Sequence, residues 1–194
     1  MPTDTTTPLE TTGVPRQILL RRAAGYLELG ELLVDAEGPV PSSAHRLLER
    51  ALEELNRLPA EVRQGSLASL VEGETLRAMG KWEEALEPLR RAAGGEVGPL
   101  EAWLGLGWCY KRLGHLPAAI AALEAGLDAS PRQPILLYNL ACYYSLDGNV
   151  AAAIDHLARA IAIDSRFRDL TGAERDFDPI RSDPRFVAAT HVMV

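Results

Sequence analysis

The chain has 194 residues, 47% of them hydrophobic, and a formal net charge of −7. That hydrophobic share supports a buried core and excludes a disordered polymer, and no window approaches the roughly 18 successive apolar residues of a membrane span. The negative balance disfavours nucleic acid and anionic membrane as partners, since neither is drawn to a surface of negative potential.

The first residues, MPTDTTTPLETTGVP, carry neither the basic start nor the apolar middle of a signal peptide. Residues 1–15 therefore read as a disordered or extended tail, and the chain as soluble and cytoplasmic. ILLRRAAGYLELG follows, with Leu19, Ala23, Tyr26 and Gly30 at helical spacing and the glycine placed to end a helix. Ala44, Leu48 and Ala51 mark a second helix. Between the two, LLVDAEGPVPSS either prolongs the first helix or forms a loop. Residues 16–65 are thus expected to form one divergent hairpin with an insertion near 31–43.

From residue 66 a period of 34 governs the chain. Gly80, Gly114 and Gly148 stand in one column, Ala85, Ala119 and Ala153 in a second, Leu89, Leu123 and Leu157 in a third, and Leu86, Ile120 and Ile154 in a fourth. Ala92, Gly126 and Ala160, and Gly73, Gly107 and Ala141, form small-residue columns. Within a period, apolar residues at helical spacing run from Glu101 to Leu113 and again from Leu116 to Leu127, each run stopping near a glycine or a proline. The glycine suits a left-handed turn after the first helix, Pro117 suits the first turn of the second, and the small columns mark close helix crossings. Three helical hairpins are expected, at 66–99, 100–133 and 134–165, in an all-α fold. Pro88 falls inside a second helix, where it removes one hydrogen bond and implies a mild kink on the convex side.

Residues 166–194, beginning RFRDLTGAERDFDPIRSDPRF, read as capping helices. Asp178-Pro179 and Asp183-Pro184 each resemble an N-cap followed by proline at the first helical position. Phe167, Leu170, Phe177, Ile180 and Phe186 can cover the last hairpin, whose outer apolar face otherwise meets water.

Residues suited to catalysis or metal binding are not grouped. His45, His115, His156 and His191 lack ligand spacing, and Asp176, Asp178 and Asp183 lack the glycine and closing glutamate of a calcium loop. Cys109 and Cys142 read as reduced thiols. The Gly105-x-Gly107 pair has no preceding strand, and Tyr110 stands where a dinucleotide loop needs its third glycine, so the pair belongs to a helix that another helix approaches. No enzymatic activity, metal or cofactor is expected.

Trp103-x2-Leu106-Gly107-x2-Tyr110, followed by Ala119-x3-Leu123 and Pro131, resembles the tetratricopeptide repeat. The next unit repeats the pattern with Leu137, Leu140, Ala141, Tyr144, Ala153 and Leu157, and has Ser165 in place of the proline. The preceding unit is weaker in its first helix and strong in its second, KWEEALEPLRRA. The resemblance spans residues 66–165. It implies a right-handed superhelical α-solenoid of helix-turn-helix repeats with a C-terminal capping segment. By the same resemblance the protein is a non-enzymatic scaffold, adaptor, assembly factor or chaperone that holds another protein's peptide or helix in a concave groove. A self-assembling homo-oligomer is the alternative.

In that family the first helices line the groove, so the period singles out Leu70, Leu104 and Tyr138, then Glu74, Trp108 and Cys142, then Arg77, Lys111 and Ser145, with Asn139 beside them. Leu20, Ala24 and Leu27 are the upstream equivalents. Trp108, Tyr138, Arg77 and Lys111 lead, because aromatic and arginine residues dominate interface energetics. Packing of Trp108 on its neighbours or on the C-terminal segment is the competing explanation. The lysine and asparagine clamp by which some family members hold a terminal carboxylate is not matched, since Leu70 and Glu74 are not such residues. The lining is apolar at its middle and basic along one row, which suits an apolar helix or an extended segment with acidic residues.

Overall fold

The computed structural model describes residues 14–34, 38–95 and 98–190, and among these there are helices and no strands. The N-terminal tail expected at 1–15 lies outside the described residues apart from Val14 and Pro15, as does part of the 31–43 insertion. In chain order, α1 (Arg16–Glu31) pairs with α2 (Ser42–Asn56), and a short α3 (Ala60–Arg63) leads to the second pair, α4 (Ser66–Ala78) and α5 (Trp82–Ala93). The third pair is α6 (Leu100–Arg112) with α7 (Leu116–Ala129), and the fourth is α8 (Pro134–Leu146) with α9 (Val150–Ile163). Then follow α10 (Arg166–Leu170), a 3-10 helix (Arg175–Ile180) and α11 (Pro184–Thr190).

Three of the four hairpin turns are built alike. Gly80, Gly114 and Gly148 have φ of 75°, 77° and 78°, a region that costs an L side chain about 1–2 kcal/mol. Each sits in a Schellman motif: Gly80 N–H donates to the Arg77 carbonyl and Lys81 N–H to that of Leu76, with the same pairs at Gly114–Lys111, His115–Tyr110, Gly148–Ser145 and Asn149–Tyr144. Gly30 is the last residue but one of α1, so the helix ends beside it as expected, but it does not share the left-handed turn: it is buried, and a Cβ there would lie 2.7 Å from Leu48, which makes it a packing glycine.

The small columns serve the contact within each hairpin. A Cβ on Gly73 would meet Leu89 at 2.6 Å, and one on Gly107 would meet Leu123 at 2.8 Å. Gly126 plays the reciprocal part, its missing Cβ leaving room for Trp103. Pro88 is buried in α5 and does not face outward on the convex side as expected. Between hairpins, the motif tyrosine reaches back to the preceding second helix: Tyr110 accepts from Arg90 at 2.6 Å, and Tyr144 donates to Glu124.

The hairpins stack into an α-solenoid. α5 packs on α6 and α7 on α8, while α1 also touches α4, and α4 touches α6. Among the described residues the contacts of α1 with α4 and of α4 with α6 have no counterpart between α5 and α7, which puts these first helices on the inner side of the curve. Leu89, Ala92, Ala102 and Leu106 join the second hairpin to the third, and Leu123, Leu137, Leu140 and Leu157 join the third to the fourth. Each fully buried leucine contributes about 1.5–3 kcal/mol of transfer free energy.

The C-terminal segment closes the stack. Phe167, Phe177, Ile180 and Phe186 belong to the core cluster of the last two hairpins, whereas Leu170, expected to cover the last hairpin with them, is exposed. Asp183 accepts from Arg185 N–H at 2.8 Å and so caps α11, whose first residue is Pro184. Asp178-Pro179 does not start a helix in this way. It lies within the 3-10 helix, where Asp178 accepts from Arg181 at 2.9 Å. The same arginine donates to the Thr171 and Glu174 carbonyls, which pins the intervening turn.

Candidate functional site

The inner helices form an open groove between α4, α6 and α8, about 290 Å³ in volume and lined by Glu74, Arg77, Glu101, Leu104, Gly105, Trp108, Ile135 and Asn139. Five of the ten residues singled out on the first helices therefore meet in one place: Glu74, Arg77, Leu104, Trp108 and Asn139. Helical spacing explains this, because Leu104 and Trp108 are one turn apart on α6 and Glu74 and Arg77 are neighbours on one face of α4.

Arg77 does not present a free cation. Its Nε donates to Glu74 at 2.7 Å, and its Nη2 donates to Glu31, from the end of α1, also at 2.7 Å. Burial works against its charge, but Glu74 and then Glu31 outweigh this and hold its pKa above the usual value. Burial raises the Glu74 carboxyl, opposed by Arg77 and reinforced by Glu31 and Glu101. A carboxyl raised in this way favours folding most below its unfolded pKa, and the contribution is lost as pH climbs through the folded value. Glu74 Oε1 is sealed from solvent with no hydrogen-bond donor, and it rests where a Cβ on Gly105 would otherwise be.

Trp108 is half-buried at the end of the groove. Its ring meets Trp82 edge-on at 6.0 Å, and the guanidinium groups of Arg77 and Arg112 lie 5.5 Å and 5.3 Å from its centroid. Arg112 also stacks 4.4 Å over Trp82. On this side a second cavity of about 270 Å³ opens, with Val34, Val40 and Glu31 on its far wall. Trp82 and Arg112 were not singled out from the sequence, because they lie outside the columns of the first-helix face.

The other five candidates are placed differently, and Ser145, expected in the lining, is fully buried. Leu70 packs against the core cluster of the second and third hairpins. Tyr138 and Cys142, expected to line an open groove, are only 6% and 2% exposed. The 3-10 helix lies on α8 and covers them: Phe177, itself 0% exposed, meets the Tyr138 ring edge-on at 5.6 Å, and Phe167 packs at 5.1 Å. Lys111 is ion-paired with Asp176 and lies 5.4 Å from the Tyr143 ring centroid. The chain's own Asp176-Phe177 thus occupies the C-terminal half of the inner face. Burial pushes the Cys109 thiol up to about 12 and raises Cys142 still further, so neither is a nucleophile.

Among the described residues no three His, Cys, Asp or Glu side chains gather as metal ligands, and no helix is long and apolar enough to cross a membrane. None of the curated proteins matches the sequence. Among solved structures, the crystal structure of MamA is similar, with a TM-score of 0.58 over 78% of this chain and 85% of that one; at 18% identity the likeness shows the fold. The tetratricopeptide repeat family profile matches residues 70–134 and 110–166, which together make half of the chain. With its hairpins, turn glycines and small-residue contacts following that same register, the chain belongs to the tetratricopeptide repeat family.

Proposed function

We propose that this protein is a non-enzymatic interaction module that holds a peptide or helix of another protein in the groove between α4, α6 and α8. The observation that carries this reading is the placement of Trp108. It stays half-open beside Leu104 and Ile135, in a groove that the C-terminal segment leaves free while covering the neighbouring half of the same face. A tryptophan in such a groove is a strong anchor, since its large surface gains most when a partner removes it from water.

Trp108→Ala is expected to weaken partner capture at least tenfold, a loss of about 1.4 kcal/mol or more, while circular dichroism shows nearly unchanged helicity. Loss of helicity would assign Trp108 to the core through its contact with Trp82 and overturn this role.

Self-assembly is a second reading, favoured by a different observation. Ile18, Leu29, Leu32 and Leu33 on and after α1 are exposed, Leu32 by 81%. Apolar residues gathered at the end of a repeat array favour association. Light scattering is expected to show mass increasing with concentration, and less so for Leu29→Ser/Leu32→Ser; a strict monomer at high concentration overturns this second reading.

A further inference from the structure

The sequence pattern favours acidic partners because Arg77 and Lys111 form a basic row, but both are engaged within the chain, by Glu74 and Glu31 and by Asp176. What remains in the groove has the opposite character. Glu74 and Glu101 line it beside the single guanidinium of Arg77, and Glu31, on the wall of the adjoining cavity, pairs with that guanidinium; both Glu31 and Glu101 lie close enough to act on Glu74. Glu101 is exposed on the first turn of α6. Asn139 donates its Nδ2 to the Ile135 carbonyl at 2.8 Å, which leaves Oδ1 to accept. The groove is therefore rich in acceptors and short of positive charge, within walls made apolar by Leu104, Trp108 and Ile135.

Resting on the interaction-module reading, we propose that the groove receives a basic side chain, lysine or arginine, from the partner segment, its aliphatic stem against Leu104, Trp108 and Ile135 and its charged end towards Glu101 and Asn139. Two features of the molecule favour this occupant. A long basic side chain buries its methylenes along apolar walls while its charge stays near carboxylates. The incoming cation also brings the carboxylate cluster closer to balance, whereas an acidic side chain would add a fourth carboxylate to it.

The test is selection of phage-displayed random peptides on the full-length chain, followed by affinity measurements with synthetic peptides on wild-type, Glu101→Gln, Glu74→Gln and Trp108→Ala proteins, each checked for helicity. The expected result is recovery of peptides that share a lysine or arginine beside apolar residues. Replacing that basic residue by norleucine, or Glu101 by Gln, should weaken binding on the order of tenfold. Glu101 is exposed, so Glu101→Gln keeps the test valid even if Glu74→Gln disturbs the fold. Peptides that depend on Trp108 but carry acidic residues, or that bind Glu101→Gln as well as wild type, would overturn the basic-side-chain proposal and leave the module reading standing. Recovery of no peptide dependent on Trp108 would overturn both.

Discussion

Truncating Phe177 to alanine is expected to destabilise the fold by about 3–5 kcal/mol, the usual cost of emptying a fully buried aromatic site. Phe177 meets Tyr138 on one side and Phe186, at 5.2 Å, on the other, so its removal separates the 3-10 helix from α8 and from α11 together. The effect should be larger locally than globally. Cys142, now under that helix, should become reactive towards a thiol reagent long before the chain unfolds, while Cys109, buried between the middle hairpins, should not. Urea denaturation gives the first quantity and thiol labelling kinetics the second. Equal protection of both cysteines in Phe177→Ala would show that the segment is not what covers the C-terminal half of the inner face.

A second large effect is expected where α6 meets α7. Leu123 is fully buried, and Leu123→Ala should cost about 2–5 kcal/mol. Gly107→Ala should cost roughly 1–3 kcal/mol from crowding against the Leu123 methyls, less up to about 1 kcal/mol regained in helix propensity. The double variant is the informative one, because the added methyl enters the space that Leu123 vacates. Its loss of stability should fall short of the sum of the single losses by about 0.5–3 kcal/mol in a four-protein denaturation cycle. Gly114→Ala provides the contrast: nothing lies within 4 Å of a Cβ there, but its φ of 77° imposes a cost of about 1–2 kcal/mol that Leu123→Ala should leave unchanged. Strict additivity of Gly107 and Leu123 would contradict the packing role assigned to the small-residue column.

The repeat architecture was legible because the same local demands recur at a fixed spacing. Gly80, Gly114 and Gly148 share one left-handed turn, and Gly73 and Gly107 share one crossing. Where repetition stopped, the reading lost its reference. Gly30 has the spacing of a turn glycine, but in sequence a turn glycine and a packing glycine look the same; only the position of Leu48 separates them. Asp178-Pro179 and Asp183-Pro184 are likewise identical as dipeptides. One lies inside a 3-10 helix and the other starts an α-helix, because Phe177 and Ile180 must both turn into the core around the first.

The groove was legible in part for a related reason. Helical spacing brings Glu74, Arg77, Leu104 and Trp108 together without reference to distant residues. Whether the basic row is free to meet a partner depends on contacts across 46 residues, from Arg77 to Glu31, and 65 residues, from Lys111 to Asp176, and no local pattern encodes these. Tyr138 and Cys142 were placed in the expected column but not beneath the cover, since the apolar residues that form it say how much surface must be hidden and not which surface they hide.

The near-identical turns at Gly80, Gly114 and Gly148 bear on the mechanics of the whole array. With the three turns held alike and the first three hairpins each fastened internally by a glycine-leucine contact, the hairpins behave as stiff plates, and compliance is left to the seams between them. One such seam joins α5 to α6, where Leu89 and Glu74 both close on the space that a Cβ of Gly105 would take. A partner seated against Gly105 would then act as a wedge at that seam, able to alter the pitch of the solenoid while every turn keeps its geometry.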